Sequence, residues 1–241
     1  MSITFENGFS ITQRTTLVRS GLVFNLFTAP SSGTTWIDES GNGYNAIISG
    51  SATYVSNNGG GIKLNNTSAN GGGNDFISVP YNIPSSTLTV EVVASFNPTS
   101  FWGTIWGNDF WSGGRGYLAY IPASTTISYG KSGGQTTETI TASNSIRHWT
   151  FVINGTQHSL YLNGVQVGTT DTVAIQTLFA TSELYFGSRH QNAGTAGPRD
   201  VMNSSVTANQ PVFYQMRVYS KALSAAEITQ NFNVVRGTYG L

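Results

Sequence analysis

The densest group of chemistry-bearing side chains lies between Phe101 and Tyr120. This segment, FWGTIWGNDFWSGGRGYLAY, holds three of the five tryptophans. Aromatic rings stack on the apolar faces of sugars, and polar groups beside them can bond sugar hydroxyls. The segment predicts a glycan-binding surface made by Trp106, Asn108, Asp109, Trp111 and Arg115. Residues 107–109 predict a loop, which favours exposure of Trp106 and Trp111. Burial of these rings in the core or in a subunit contact is the alternative.

A second candidate site lies in GSRHQNAGTAGPRD, residues 187–200. This stretch is long, polar and glycine-bearing, which predicts a surface loop of the kind that often carries binding residues. Arg189, His190 and Asn192 offer groups for a glycan, a carboxylate or a neighbouring subunit. A loop that only contacts solvent is the alternative.

The sequence lacks the residues that several other kinds of site require. The chain has no cysteine, which excludes disulfides, thiolate metal sites and cysteine nucleophiles. It has neither a G-x-S-x-G motif nor a phosphate-binding glycine loop followed by Lys-Ser/Thr. The spacing of His148, His158 and His190 indicates no zinc pair. His148 and His158 could face each other across strands, but we interpret them as two solvated imidazoles.

Short runs of alternating apolar and polar residues predict half-buried strands. The clearest runs are residues 21–26, 76–79, 87–96, 149–153, 159–162, 183–187 and 212–219. Asn163-Gly164 stands between two alternating runs, which predicts a hairpin with a type I′ turn. The segment Leu223 to Phe232 predicts one helix, because Ser224 and Glu227 form an S-x-x-E capping box before an apolar face.

Composition limits the class of protein. A chain of 241 residues fits a single all-β domain. Lys plus Arg and Asp plus Glu number 11 each, and the cations form no cluster, so we expect no nucleic-acid partner. No apolar stretch is long enough for a membrane span, and no basic segment followed by an apolar one begins the chain. We therefore expect neither a membrane partner nor secretion.

Seven segments, taken in order, resemble the concanavalin A-like lectin/glucanase superfamily, in particular its laminin-G-like branch. They are GLVFNL, WIDESGNGYNA, NDFISVP, LTVEVVASFNP, RHWTFVINGTQHSLYLNGVQVGT, LYFGSR and MRVYSKALSAAEITQNFN. The resemblance implies an all-β fold, a two-sheet antiparallel jelly roll with one short C-terminal helix, over residues 21–241. It also implies glycan or protein partners. Residues 1–20 are expected to form an N-terminal arm or an extra strand.

The resemblance also bears on metals and catalysis. Relatives often bind calcium, and Asp38 in DESGNG matches half of their pattern, with Asp75 as a second oxygen ligand or a turn cap. Tyr214-Gln215 stands where relatives commonly carry an acidic pair, so calcium is possible but a tightly held ion is not expected. No other cofactor is expected. The glucanase motif E-x-D-x-x-E is missing, which leaves Glu91 with a structural role and predicts no catalytic residue.

Taken together, the sequence predicts a non-enzymatic protein of a virion, of the capsid decoration or fibre type, that displays a lectin-like jelly roll able to bind glycans. The absence of an export signal is explained if the protein assembles into a bacteriophage particle in the host cytoplasm. Its partners would be virion proteins or surface glycans, and exposed edge strands favour homo-oligomers. A free carbohydrate-binding lectin is the alternative, and a glycoside hydrolase is a weaker one.

Overall fold

The structure is a computed structural model of the 241-residue chain. It describes residues 2–4, 10–12, 16–67, 74–96, 103–108, 116–123, 125–131, 134–141, 143–173, 183–192, 195–199, 201–202 and 209–241. The predicted site residues Asp109, Trp111 and Arg115 lie outside these ranges.

The described elements are twenty strands and one helix. In chain order they are β1 (Ser2–Thr4), β2 (Ser10–Thr12), β3 (Leu22–Leu26), β4 (Thr35–Trp36), β5 (Ala46–Ser49), β6 (Thr53–Val55), β7 (Gly61–Lys63), β8 (Phe76–Val79), β9 (Thr87–Ser95), β10 (Gly103–Gly107), β11 (Tyr117–Ala123), β12 (Thr126–Lys131), β13 (Gly134–Thr139), β14 (Arg147–Asn154), β15 (Gln157–Leu162), β16 (Val165–Thr172), β17 (Leu184–Phe186), β18 (Arg189–Asn192), β19 (Thr195–Arg199), β20 (Val212–Tyr219) and α1 (Ala225–Tyr239).

Two large antiparallel sheets form the body. Sheet I has the order β16-β15-β14-β9-β20-β7-β6, with β3 also paired to β20. Sheet II has the order β13-β12-β11-β10-β17-β8-β5-β4. The predicted all-β fold of two antiparallel sheets with one C-terminal helix is confirmed.

The alternation of side chains in β9 shows how sheet I is covered on both faces. Leu88, Val90, Val92 and Ala94 belong to the main core between the sheets. Thr89, Glu91 and Val93 are buried on the other face, because alternate side chains of a strand point to opposite sides. Val93 packs there with Val235 of α1. The helix therefore closes the outer face of sheet I.

The local turn and cap predictions are confirmed. Leu162 pairs with Val165 across Asn163-Gly164, and the turn residues have φ of 51° and 78°, as a type I′ turn requires. At the start of α1, the Ser224 side chain accepts from the Glu227 N–H and the Glu227 side chain accepts from the Ser224 N–H. The helix continues past the predicted end at Phe232 to Tyr239, and Gly240 ends it in the left-handed conformation.

The N-terminal strands stand apart from the two sheets. β1 and β2 pair with each other in a separate two-stranded sheet. Residues that follow are held by α1: the Val18 N–H donates to Asn231 at 2.9 Å, and Gln230 donates to the Thr16 carbonyl. Within the described residues, no helix has the length and apolarity to cross a bilayer.

Candidate functional site

Trp106 is a core residue and not part of a sugar-binding surface, so its predicted exposure is wrong. It lies in β10 opposite Phe186 of β17, its side chain is fully buried, and its ring contacts that of Phe151 at 5.9 Å. The register shift between Thr104 and Trp106 lets both Ile105 and Trp106 join the core. A β-bulge of this kind re-aims a side chain that simple alternation would place outside.

Asn108 is buried as well, which contradicts its predicted role as a direct sugar contact. Its N–H donates to the Tyr117 carbonyl at 3.0 Å, and its Oδ1 accepts from the Tyr117 N–H at 2.9 Å. These two bonds join the end of β10 to the start of β11. The base of the predicted aromatic loop, residues 109–115, is therefore clamped by Asn108 and Tyr117.

The second predicted site contains a hairpin in place of a long loop. β18 and β19 pair antiparallel, with Arg189 opposite Arg199. Arg189 is buried, so it does not offer its guanidinium freely to a ligand as predicted. The backbones of His190 and Asn192 lie on β18, whereas their side chains fall outside the described part of the structure.

The Asp38 carboxylate organises its own loop. Its Oδ1 accepts from the N–H groups of Asn25 and Ser40, and its Oδ2 accepts from the Ser40 hydroxyl and the Tyr44 N–H, at 2.8 to 3.0 Å. Burial raises the pKa of Asp38, but these hydrogen bonds outweigh it and leave the pKa below its ordinary value. Four donors fill the lone pairs that a calcium ion would need, so Asp38 does not fit a calcium ligand.

Asp75 has the turn-capping role that was the alternative to metal binding. Its Oδ1 accepts from the Ser51 N–H at 2.6 Å, and its Oδ2 accepts from the Asn65 N–H at 2.7 Å. The described residues contain no group of three His, Asp or Glu side chains arranged to hold a metal ion. Calcium binding by Asp38 and Asp75 therefore has no support in the geometry.

Glu91 lies in a buried polar network beneath α1. Its carboxylate accepts from Arg217 Nη1 at 3.0 Å and from Asn231 Nδ2 at 3.1 Å. His148 stacks on Phe232 of α1 at 6.0 Å and is fully buried, so its interpretation as a solvated imidazole is wrong. The network supports the structural role expected for Glu91.

A different acidic group, which sequence spacing did not reveal, lies where the edges of the two sheets meet. β13 is the edge strand of sheet II, β16 is the edge strand of sheet I, and the two are in contact. The Thr136 hydroxyl donates to the Asp171 carboxylate. The Glu138 carboxylate lies against Gly168, where an added methyl group would stand 2.2 Å from Oε2. We call the pair of carboxylates, Glu138 and Asp171, the acidic seam.

Two buried polar side chains lie on the strands next to those that carry the acidic seam. Tyr129 pairs across the strands with Thr136, and His158 pairs with Asp171. Both side chains are fully buried, so His158 is not a solvated imidazole either. The Tyr129 hydroxyl and His158 Nδ1 have no hydrogen-bond partner among the described residues. Burial, together with the charges of Glu138 and Asp171, raises the pKa of Tyr129.

Charge repulsion acts within the seam itself. Burial, and then the charge of Asp171, raise the pKa of Glu138 above its ordinary value. Burial lowers the pKa of His158, while a bond to the Gly155 carbonyl and the Asp171 charge act in the opposite direction. Sequence alternation can assign these residues to one face of β13 or of β16. It cannot show that the two strands lie side by side, because they belong to different sheets.

Solved structures with similar folds include toxin binding domains and a sialidase. The binding domain of botulinum neurotoxin serotype D has 14% identity and a TM-score of 0.63 over 89% of this chain and 52% of that one. The binding domain of botulinum neurotoxin DC in complex with rat synaptotagmin II has 14% identity and a TM-score of 0.67 over 90% and 52%. Trypanosoma rangeli sialidase in complex with sialic acid has 16% identity and a TM-score of 0.62 over 90% and 33%.

The chain spans about half of the toxin binding domains and a third of the sialidase. At these identities the likeness establishes the jelly-roll fold of lectin type. No curated protein sequence matches significantly. A family model, Laminin_G_3, matches residues 70–229, which include β8 through β20 and the first turn of α1. This chain belongs to the concanavalin A-like lectin/glucanases superfamily.

Proposed function

We propose that this chain is a non-enzymatic adhesion module that binds glycans through residues 109–115. The observation that carries the proposal is the clamp between Asn108 and Tyr117, with two hydrogen bonds of 3.0 and 2.9 Å. A loop whose two ends are fixed loses less conformational entropy when it binds. Asp109, Trp111 and Arg115 would supply the ring and the polar groups that contact the sugar.

The surroundings of Glu91 argue against this residue as a catalytic carboxylate. A glycosidase needs two carboxyl groups that reach the scissile bond. Glu91 is buried under α1 and paired with Arg217 at 3.0 Å, so a sugar would have to displace the helix to reach it. Glycan binding, in contrast, requires only an accessible loop.

A glycan panel tests the binding role. We expect wild-type protein to bind a subset of immobilised glycans, and Trp111→Ala to lose that binding while keeping its melting temperature. Sialylated glycans are the first to test, because one similar structure is a toxin binding domain in complex with SialylT and another is a sialidase in complex with sialic acid. Failure of the wild type to bind any glycan would refute the proposal, and release of free sugar would replace it with an enzymatic one.

Val165→Ala is the matched control. Val165 is 70% exposed. The ring of His158, near the start of β15, lies 6.3 Å from that of Tyr117, which is next to the proposed binding loop. Val165 follows the turn at the opposite end of β15. The substitution removes an exposed apolar side chain at the other end of the sandwich, so glycan binding should be unchanged.

We also propose that the module is carried by a virion, where it meets virion proteins or surface glycans. The pairing of β1 with β2 supports an attachment role, since neither strand pairs with a described strand of sheet I or II. The test is deletion of residues 1–15, which spares the contacts of Thr16 and Val18 with α1. We expect the shortened protein to fold and to be lost from particles; normal incorporation would contradict attachment through this hairpin.

A further inference from the structure

The acidic seam has no compensating cation among the side chains that the structure describes. Glu138 and Asp171 are close enough for Asp171 to raise the pKa of Glu138, yet neither forms an ion pair with a described residue. The ion pairs found in the described part of the chain involve Glu91 and Glu227 instead. Two partly buried carboxylates on contacting strands, with no counterion among the described residues, are electrostatically complementary to a positive group.

Hydrogen-bonding capacity at the seam is also left unused by the described residues. The Glu138 carboxylate accepts no hydrogen bond from the described residues, whereas Asp171 accepts one from Thr136. The Tyr129 hydroxyl is fully buried beside Thr136 and has no partner there. Because unpaired buried polar groups are costly, a group that bonds to Tyr129 and both carboxylates at once would be held strongly.

We propose that Glu138, Asp171 and Tyr129 bind the protonated amine of an amino sugar. An ammonium group has three N–H donors, which match two carboxylates and the acceptor lone pair of a tyrosine hydroxyl. A divalent metal ion needs more ligands, and the described residues offer no group of three that could hold one. The choice of a sugar over a lysine side chain rests on the glycan-binding function proposed above.

Calorimetric titration of the full chain at pH 7 tests this site. The probes are glucosamine, glucose, N-acetylglucosamine, lysine methylamide and calcium chloride. We expect glucosamine to bind, and glucose and N-acetylglucosamine to be at least tenfold weaker because they lack the positive charge. Glu138→Gln should weaken glucosamine binding by about tenfold, since it removes one charge-assisted bond. Tyr129→Phe should weaken it by roughly tenfold, because the hydroxyl accepts from a charged donor.

Glu39→Gln is the matched control. Glu39 is exposed and follows β4, which lies at the opposite edge of sheet II from β13. Its substitution should leave glucosamine affinity unchanged, because Glu39 is not part of the seam. Melting temperatures of all variants establish that they are folded.

The other results that would overturn the proposal can be told apart from one that rejects only the loop function. Equal affinity for glucose, no heat with glucosamine, or no effect of Glu138→Gln would remove the ammonium site. Tighter binding of lysine methylamide would assign the seam to a protein side chain, and displacement of glucosamine by calcium would assign it to a metal. Loss of glucosamine binding in Trp111→Ala alone would place the amine at the loop. A negative glycan panel combined with glucosamine binding at the seam would reject the loop function and not this site.

Discussion

The Nε2 atom of His148 lies 3.6 Å from Oε1 of Glu91, and both side chains are buried between sheet I and α1. Burial lowers the pKa of His148 to about 4; the Glu91 charge opposes this shift and the Arg217 charge adds to it. At neutral pH the His148 side chain is therefore an uncharged imidazole between α1 and sheet I.

The stability of the protein should fall in acid because of His148. Its pKa is 6.5 in the unfolded chain and about 4 in the folded one, so between these values the unfolded state binds more protons. The stability that depends on a neutral His148 is fully present above about pH 6.5 and is lost as the pH falls towards 4. Between pH 7 and 5 we expect a loss of about 2 kcal/mol. Urea unfolding at the two pH values measures it.

His148→Gln supplies the comparison for that measurement. The variant removes the titrating group, so its stability should change less between pH 7 and 5. The remaining change should come partly from His158, whose pKa is also lowered by burial. An unaltered pH dependence in the variant would show that His148 does not govern the acid response.

Breaking the buried ion pair from one side should cost more than removing it altogether. Arg217→Met leaves Glu91 buried and without its 3.0 Å partner, and we expect a loss of roughly 3–5 kcal/mol. The double variant Glu91→Leu/Arg217→Met should lose less than the sum of the two single variants. Additive losses would mean that the pair is not coupled.

The exposed pair of Lys221 and Glu227 is the control for that cycle. Its atoms lie 2.6 Å apart, but the two side chains are 32% and 27% exposed. Lys221→Ala should therefore lower the free energy of unfolding by less than about 1 kcal/mol.

Substitutions at Trp106 should affect stability. Its side chain is fully buried against Phe151, so Trp106→Ala should cost roughly 3–5 kcal/mol. Trp106→Phe should cost less, because the indole N–H has no hydrogen-bond partner among the described residues. Denaturant unfolding measures both. A stable Trp106→Ala variant with impaired glycan binding would restore the surface role that the sequence suggested.

Gly50 should tolerate alanine much less well than Gly33. Both have positive φ, 81° and 77°, so either substitution carries backbone strain of about 1 kcal/mol. At Gly50 an added methyl group would also stand 2.2 Å from the Asp75 carboxylate, whereas at Gly33 nothing lies within 4 Å. Melting temperatures of the two variants should differ by several degrees; equal values would contradict a tight contact at Gly50.

Features governed by local sequence were predictable. The Asn163-Gly164 turn and the capping box of α1 depend on residues within a few positions of each other, and both are present. The sequence left Trp106 either exposed or in the core, and it could not decide between the two because a bulge before Trp106 changes the face to which it points. Burial of His148 depends on Phe232, which lies on α1 far along the chain. The acidic seam joins edge strands of two different sheets, so no spacing in the sequence signals it.

The bonds between Asn108 and Tyr117 also bear on substitutions in residues 109–115. They lock the ladder of β10 and β11 on the sandwich side of residues 109–115. If residues 109–115 bind glycans as proposed, substitutions or insertions there should alter that binding without disturbing strand register, because β10 and β11 stay joined by these bonds. On the proposed function, changes of glycan specificity in this segment should therefore cost little folding stability.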